Sequence, residues 1–324
     1  MPGVFQMYFE KDDVRQKSKN TLDCIGNTPL VKLNKIVPEN CADIFVKLEY
    51  FNPTGSKKDR MALAMIEGAE KKGLLKPGMK VVELSGGSTG AGLAFVCSVK
   101  GYKFHVVSSD AFSKEKLDTM TALGAELDII ESDGGKITRD LIEKMVEHTN
   151  EIALDENIFF TNQLKNSDLI DGFEILGKEI LEQLDVPIDG FCDSVGTAGS
   201  LMGVSRALKK ANQKTKIVVL EPSTSPIITT GKSGSHTVEG IGLGFVPELL
   251  DTDFYDEARV VDEKIAREIA VKLAREEGIF GGTSTGMNVA GAIELAKELG
   301  PGKTVVAIAC DSGLKYLSET LYAN

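Results

Sequence analysis

Residues 81–99, VVELSGGSTGAGLAFVCSV, decide the fold class, because they place a β-rich run, a glycine-rich turn and a helix in direct succession. The run VVELS at 81–85 is rich in apolar and β-branched residues, as strands are. Residues 91–99 are apolar on every side, which predicts a buried helix rather than an amphipathic one. A strand that leads through a glycine turn into a buried helix indicates an α/β protein.

Similar runs recur along most of the chain. The β-rich runs are IFVKLE at 44–49, KFHVVSS at 103–109, ELDIIES at 126–132, FCDSV at 191–195, KIVVLEP at 216–222 and TVVAIA at 304–309. The helical patterns cover 57–72, 113–123 and 135–148. Strands that are apolar on both faces and alternate with helices predict parallel sheet covered on both sides. At 324 residues the chain is long enough for two lobes, with a polar boundary near residues 153–157.

The composition favours small-molecule chemistry. A formal net charge of -11 argues against nucleic acid or an anionic membrane as the main partner. The five cysteines are widely spread without a CxxC pair, which indicates reduced thiols in the cytoplasm. With three histidines in the chain, a multi-histidine metal site is not expected. The N-terminal residues lack the apolar run of a secretory signal, and no stretch is long enough to span a bilayer.

Lys58 is the leading candidate for a catalytic residue. Apolar residues follow it at helical spacing, at positions 61, 62, 65, 66 and 69, which places Lys58 on the buried face of the predicted helix. The helix dipole and desolvation both disfavour its charge, so the amine is expected to be neutral and nucleophilic enough to form a Schiff base. Lys57 is expected to lie off this face. The alternative is that residues 57–60, KKDR, form a solvated charge run at a helix start.

A second candidate site is the turn at residues 196–200, GTAGS, between the strand FCDSV and the helix LMGVSRALKK. This arrangement presents backbone N–H groups and the positive end of a helix dipole to an anion, and Thr197 and Ser200 add hydroxyl donors. It predicts a phosphate site. The alternative is a glycine turn without a ligand, because neither the GxGxxG spacing at the first strand nor the P-loop pattern is present.

Small residues and hydroxyls also fill residues 85–90, SGGSTG, where a carboxylate can approach a helix N-terminus closely. Residues 86–90 match GxSxG as well, the nucleophile elbow, in the required strand-to-helix context. A serine hydrolase that uses Ser88 together with His236 is therefore the alternative from another enzyme class. Two further segments, GGTSTG at 281–286 and EGIGLGF at 239–245, predict hydroxyls at a helix start and a flexible flap.

Residues 52–60, NPTGSKKDR, resemble the NPxGSxKDR signature of the cysteine synthase and cystathionine β-synthase family, which are fold-type II pyridoxal phosphate enzymes. The similarity continues at IGNTPLVKL (25–33), SGGSTG (85–90), GTAGS (196–200), EGIGLGFVP (239–247), GGTSTG (281–286) and DSGLKYLS (311–318). It implies a tryptophan synthase β-like fold of two lobes. Residues 43–153 would form a smaller, mobile lobe that binds the substrate carboxylate, and residues 1–42 with 154–324 a larger lobe that binds the cofactor.

The resemblance also implies a role for individual residues, and makes Lys58 the lysine that holds the cofactor and moves the substrate's α-proton. The implied cofactor contacts are Lys58, Ser88 at the ring oxygen, Ser284 at the pyridine nitrogen, and Gly196, Thr197, Ala198, Gly199 and Ser200 at the phosphate. The implied substrate contacts are Ser85, Gly86, Gly87, Thr89, Gln163 and Gly240. Two of these depart from the family: Ser88 stands in place of an asparagine, and Ala198 in place of a glycine.

The function implied by the resemblance is β-replacement with pyridoxal 5'-phosphate, in which a serine-type amino acid such as O-acetylserine reacts with a sulfur nucleophile. A neutral hydroxyl at the pyridine nitrogen favours loss of a β-substituent over transamination. The alternatives within the family are a cystathionine β-synthase-like activity and a cysteine-consuming, sulfide-releasing lyase. A protein that keeps the fold without turnover is a further alternative. We expect a cytoplasmic homodimer without a metal, nucleic-acid or membrane partner.

Overall fold

The computed structural model describes residues 18–136, 138–318 and 320–322. In these ranges the strands are β1 (Leu30–Lys32), β2 (Asp43–Leu48), β3 (Lys80–Leu84), β4 (Lys103–Ser109), β5 (Glu126–Ile130), β6 (Ile158–Phe160), β7 (Gly190–Ser194), β8 (Lys216–Pro222), β9 (Glu257–Val261) and β10 (Thr304–Ala309). The α-helices are α1 (Lys58–Lys71), α2 (Ser88–Lys100), α3 (Lys114–Ala122), α4 (Arg139–Ile152), α5 (Asp168–Gln183), α6 (Gly199–Ala211), α7 (Ile227–Thr230), α8 (Glu263–Lys272) and α9 (Thr283–Leu299).

These strands form two sheets. The larger has six strands in the order β1-β2-β10-β7-β8-β9, and the smaller has four in the order β5-β4-β3-β6. All neighbouring strands run parallel except β1, which pairs antiparallel with β2. Helices join the parallel strands, because a parallel pair needs a crossover connection. The predicted α/β class with parallel sheet is confirmed.

The helices bury the faces that their sequences indicate. In α1 the apolar stripe at 61, 62, 65, 66 and 69 is buried throughout. In α2 the buried residues run without a break from Thr89 to Cys97, as an apolar helix between other elements requires. Within the described ranges, each helix is too short or too polar to cross a lipid bilayer.

The predicted elements agree with the observed ones to within about two residues at most ends, with one larger shift. The helix predicted at 135–148 is α4 at Arg139–Ile152. It starts later because the Thr138 side chain caps it by accepting a hydrogen bond from Leu141 N at 3.2 Å. The patterns above do not include β1, β9, α5, α7 or α8, whereas the run IFFT at 158–161, which also predicts a strand, matches β6. In α5 the glycines Gly172 and Gly177 interrupt the apolar pattern, although both lie buried within the helix.

The limits of the predicted small lobe, 43–153, do not coincide with the limits of the smaller sheet. Strand β2 pairs with β10 in the six-stranded sheet, whereas β6 pairs with β3 in the four-stranded sheet. Strand pairing therefore favours moving the proposed limits past β2 at one end and past β6 at the other. Residues 1–17 of the predicted larger lobe and of the N-terminal segment lie outside the described residues.

Candidate active site

The predicted site segments lie at the carboxyl ends of parallel strands. Residues 85–90 follow β3, residues 196–200 follow β7, and residues 311–318 follow β10. Two backbone hydrogen bonds tie the start of α1 to the segment after β10: Lys57 N to Cys310 O at 2.8 Å, and Ser312 N to Gly55 O at 3.0 Å. The crevice at this end of the strands is where α/β sheets bind ligands.

Lys58 begins α1 and is partly exposed in this crevice. Its amine makes no hydrogen bond or ion pair with another described residue. Burial, the largest cause, and the Lys57 ammonium together lower the pKa of Lys58 to about 8, against the opposing effects of Cys310, Asp193 and Asp311. An amine with this pKa is largely neutral at mildly alkaline pH and is therefore a competent nucleophile.

Lys57 is the more buried of the two lysines, which corrects the expectation that it lies off the buried face. Its ammonium is 3.2 Å from both carboxylate oxygens of Asp193 and 2.8 Å from the Ser200 hydroxyl. Burial acts to lower the pKa of Lys57, but the Asp193 carboxylate and Cys310 together outweigh burial and raise the pKa above its ordinary value. The reading of residues 57–60 as a solvated charge run is wrong for this residue, because a buried carboxylate neutralises it.

The turn at 196–200 has free hydrogen-bond donors. Gly196, Thr197 and Ala198 are buried, and their backbone N–H groups have no partner among the described residues. Buried N–H groups are nearly always paired, so three in succession indicate an anion that completes them. Ala198 has a φ of 68°, in the left-handed region where family members are expected to carry glycine.

Ser200 differs from its predicted role as a phosphate donor. Its hydroxyl donates to the Asp193 carboxylate and accepts a hydrogen bond from Lys57. Because a hydroxyl has a single proton, Ser200 does not also donate to an anion in this arrangement. Thr197 keeps its hydroxyl beside the turn, 3.5 Å from Gly199 N.

The predicted carboxylate loop brings Thr89 and Gln163 together, although they are far apart in sequence. The Thr89 hydroxyl donates to Gln163 Oε1 at 2.8 Å, and the Gln163 amide donates to Leu84 O at 3.1 Å. Ser85 Oγ accepts from Gly90 N at 2.9 Å, which shapes the turn. A Cβ built at Gly86 would overlap the Phe112 ring at 2.1 Å, whereas one at Gly87 would meet nothing within 4 Å. Gly87 therefore borders open space.

Ser88 lies at the start of α2, but its contact is not that of a hydrolase nucleophile. Its Oγ accepts a hydrogen bond from Lys315 Nζ at 3.1 Å. His236 instead bonds Gly242 O at 2.8 Å, and His105 and His148 both contact Asp128. No histidine contacts Ser88 in the part of the chain that the structure describes, so this geometry gives the serine hydrolase alternative no support.

Ser284 opens α9 and is buried beside the end of β10. Burial raises the pKa of the Cys310 thiol to about 11, although Lys57 and the Ser284 hydroxyl act in the opposite direction. Asp311 accepts from Tyr316 at 2.8 Å through Oδ2, while its buried Oδ1 has no partner. The Gly240 carbonyl lies against Gly196, where an added Cβ would come within 2.3 Å of it. The flap segment thus closes one side of the turn.

Three residues of this crevice were not among the predicted site residues: Asp193, Asn288 and Lys315. Asp193 and Asn288 are fully buried. The signal that could have found them is a polar residue in an apolar run: Asp193 in the strand FCDSV and Asn288 in an apolar helix. A polar group that is buried needs a hydrogen-bond or ion-pair partner. Their partners are distant in sequence, so the sequence does not show which residues pair with them.

The residues present fit a phosphorylated aldehyde such as pyridoxal 5'-phosphate. Lys58 offers an unpaired amine for covalent attachment, and the buried N–H groups at Gly196–Ala198 suit a phosphate. Ser284 offers a neutral hydroxyl, and the space beside Gly87 leaves room for a ring or substrate. The donor set therefore matches the phosphate, aldehyde and ring of this cofactor.

Comparison with known proteins identifies the enzyme family of the chain. The pyridoxal-phosphate dependent enzyme family matches residues 21–311. A cysteine synthase from Staphylococcus aureus is 42% identical over 306 residues, which cover 94% of this chain and 97% of that protein. The solved structure of a cysteine synthase from Entamoeba histolytica has a TM-score of 0.88 at 33% identity and covers 96% of this chain and 92% of its own.

A hydrogen sulfide-producing enzyme from Fusobacterium nucleatum is also similar in structure. It has a TM-score of 0.87 at 36% identity and covers 94% of this chain and 99% of its own. Family, sequence and structure therefore agree over nearly the whole chain. The chain belongs to the pyridoxal-phosphate dependent enzymes, within their cysteine synthase family.

Proposed function

We propose that this enzyme catalyses β-replacement on a serine-type amino acid, O-acetylserine or a close relative, with a sulfur nucleophile, and so forms cysteine. The observation that carries the proposal is the meeting of an unpaired, partly neutral Lys58 amine with three unpartnered backbone N–H groups at one end of the parallel strands. The similarity to cysteine synthases supports the same reaction class.

The roles of the side chains follow from their positions. Pyridoxal 5'-phosphate supplies an electron sink when bound. Lys58 would hold the cofactor and carry the substrate's α-proton, since its lowered pKa allows the amine to exchange a proton near the working pH. Thr89 and Gln163 would bind the substrate carboxylate, together with Ser85, Gly86, Gly87 and Gly240. Ser284 would meet the pyridine nitrogen with a neutral group, and Ser88 with Lys315 would lie near the ring oxygen.

A sulfide-releasing reaction is the second candidate, because the similar enzyme from Fusobacterium nucleatum is a hydrogen sulfide producer. Both reactions require loss of a β-substituent after removal of an α-proton, so the same residues serve either one. Supplying O-acetylserine with sulfide, and cysteine alone, to the cofactor-loaded protein separates them. Cysteine formation at the higher kcat/KM supports the first proposal, whereas sulfide release at the higher kcat/KM replaces it with the second.

The role of Lys58 is tested by Lys58→Ala in the cofactor-loaded protein. The variant should lose about 10²-fold to 10⁴-fold of the activity, the range for removing a general acid–base group, and should no longer give a borohydride-trapped adduct with the cofactor. The exposed Lys71, at the far end of α1, is a matched control, and Lys71→Ala should leave both readouts unchanged. A trapped adduct on another lysine would contradict the assignment.

We further propose a cytoplasmic homodimer. All five cysteines are unpaired thiols, which suits a reducing compartment. Several large apolar side chains are exposed, among them Phe51, Ile175 and Leu314. Light scattering of the purified protein should give twice the mass of one chain, 34.9 kDa, and a monomer at micromolar concentration would contradict the dimer.

A further inference from the structure

A buried ion pair connects the two parts of the cofactor site. Lys57 and Asp193 are 7% and 0% exposed, and the Lys57 ammonium lies 3.2 Å from each oxygen of the Asp193 carboxylate. Lys57 directly precedes Lys58, and Asp193 lies in β7, just before the turn at 196–200. The pair therefore joins the segment that carries the lysine to the segment that offers the phosphate site.

Ser200 is the point where the pair reaches the turn. Its hydroxyl accepts from the Lys57 ammonium at 2.8 Å and donates to Asp193. Ser200 stands in the first turn of α6, one residue after the N-terminal glycine of the helix. Both charges thus contact the same hydroxyl, and this contact fixes the helix start relative to Lys57.

Asn288 holds the carboxylate from the opposite side. Its Nδ2 donates to Asp193 Oδ1 at 2.9 Å and to Ile308 O at 2.9 Å. Its Oδ1 accepts from Ser194 N at 2.7 Å. The amide therefore ties α9, β7 and β10 to one carboxylate, and leaves Asp193 little freedom to turn away from Lys57.

A contribution to stability does not account for this arrangement. Two buried charges lose hydration, and replacing such a pair with apolar residues often leaves stability unchanged or improves it. Buried polar groups that are fully paired do hold their neighbours in one arrangement. Here the neighbours are the Schiff-base candidate and the anion-binding turn.

We propose that Lys57 and Asp193 are positioning residues for the cofactor phosphate, which hold the turn at 196–200 in register with Lys58. This inference rests on the proposed cofactor site. It gives Lys57 a positioning role of its own, beyond its adjacency to Lys58. It also explains why Ser200 donates to Asp193 rather than into the crevice: Ser200 contributes the position of the turn, and the backbone N–H groups contribute the donors.

The test compares ligands with and without a phosphate group. Dissociation constants of the apoenzyme for pyridoxal 5'-phosphate, pyridoxal and inorganic phosphate are measured for the wild type and for Lys57→Met. We expect Lys57→Met to weaken both phosphate-bearing ligands by about tenfold or more, the size typical for supporting residues behind a bound group, with a smaller change for pyridoxal. Equal losses for pyridoxal 5'-phosphate and pyridoxal, or unchanged phosphate binding, would overturn the proposal.

Three further variants separate position from an unpaired charge. Lys209→Met removes a cation from the far end of α6, the helix that follows the turn, where Lys209 pairs with Asp256 at 2.8 Å, and should bind all three ligands as the wild type does. Lys57→Arg should recover part of the lost phosphate affinity. The double variant Lys57→Met/Asp193→Asn leaves no buried unpaired charge, so it should fold stably and still bind phosphate weakly. Wild-type phosphate affinity in the double variant would overturn the proposal.

Two outcomes distinguish a failure of the proposed reaction from a failure of the proposed positioning role. If the wild type forms no cysteine but binds inorganic phosphate, and Lys57→Met weakens that binding, the proposed reaction is wrong and the positioning role stands. If the wild type forms cysteine while Lys57→Met binds all three ligands normally, the reaction stands and the positioning role is wrong.

Discussion

Lys57 and Lys58 are adjacent in sequence but have opposite charge preferences. Asp193 holds Lys57 in its charged form. The charged Lys57 in turn disfavours a second charge on Lys58, in addition to the effect of burial. A cation next to a reactive lysine is one of the ways in which its pKa is lowered. Lys57 is thus the lysine that forms a structural ion pair, and Lys58 is the lysine that is available to react.

In the apoprotein, Lys58 should react as an amine with a midpoint near pH 8. The neutral amine exists above its pKa, so labelling by an acylating reagent should rise as the pH passes this value. The exposed Lys71, in the last turn of the same helix, is the internal control for reagent stability and amine accessibility. Mass spectrometry after brief labelling at several pH values measures both. Labelling of Lys58 that does not rise as the pH passes about 8 would contradict the prediction.

The buried Glu83 forms hydrogen bonds with the segment that carries Gln163, a predicted substrate contact. It accepts hydrogen bonds from the Thr161 hydroxyl at 2.6 Å and from Gln163 N at 3.0 Å. Burial raises the pKa of Glu83 from 4.5 to about 7, although these hydrogen bonds act in the opposite direction. The carboxyl is therefore easier to ionise in the unfolded chain than in the folded one.

Glu83 should make the folded protein less stable as the pH rises from 4.5 towards 7. In this window the unfolded chain binds fewer protons than the folded one, so the free energy of unfolding falls with increasing pH. Glu83→Gln should remove up to about 3 kcal/mol of this pH dependence, measured by denaturant unfolding of the apoprotein. Glu126→Gln, at an exposed site on the same sheet, should keep the wild-type dependence. An unchanged slope in Glu83→Gln would contradict the prediction.

The turn between β7 and α6 combines close packing with an unusual backbone. Gly196 has no room for a side chain, because the Gly240 carbonyl lies where its Cβ would be. Ala198 tolerates a side chain despite a positive φ of 68°, since its methyl group packs in the core at 3% exposure. The turn therefore requires glycine at one position for space, and accepts alanine at another at the expense of backbone strain.

Gly196→Ala should destabilise the apoprotein by about 1–3 kcal/mol, because an overpacked site forces the backbone to shift. It should weaken phosphate binding as well, since the shift moves the N–H groups of the turn. Ala198→Gly in the same turn is the comparison. Relief of left-handed strain and loss of a buried methyl group are each worth about 1 kcal/mol, so stability should change by less than about 1 kcal/mol. Similar losses in both variants by thermal unfolding would contradict this account.

Side-chain contacts across the crevice join elements beside the smaller sheet to elements beside the larger sheet. Lys116 of α3 forms an ion pair with Glu239 of the flap segment, and its ammonium lies 5.1 Å from the centre of the Tyr316 ring. Lys315 reaches Ser88 at the start of α2. Both contacts connect an element beside the smaller sheet to one beside the larger sheet. We expect both contacts to hold the two sides of the crevice together.

Glu239→Gln should loosen the flap without unfolding the protein. The ion pair is partly exposed, with the Glu239 side chain 44% accessible, so its loss should cost at most about 1 kcal/mol. Hydrogen exchange at residues 236–245 should rise by up to about fivefold, while exchange in the β-strands stays the same. Glu248→Gln removes a surface pair with Lys165 and serves as the control. Unchanged exchange at 236–245 would contradict the role of the pair.

Local sequence patterns predict most of the fold. Apolar runs such as 216–222 and 304–309 match their strands because strands buried on both faces need continuous apolar sequence. The three-residue strand β1 has no such pattern, since it is held by pairing with β2 rather than by its own composition. The proposed lobe limits stay a prediction, and the pairing of β2 with β10 and of β6 with β3 could not inform them, because strand pairing is a long-range property.

The chemistry of the candidate site was visible in the sequence, because each motif carries its own local chemistry: a lysine at a helix start, a glycine turn after a strand, and hydroxyls at two further helix starts. What the motifs could not show is which side chains form ion pairs or hydrogen bonds with one another. The partners Lys57 and Asp193 are separated by 136 positions, and Lys315 and Ser88 by 227. Only the folded chain brings them together, since charge pairing depends on distance in space and not on distance along the sequence.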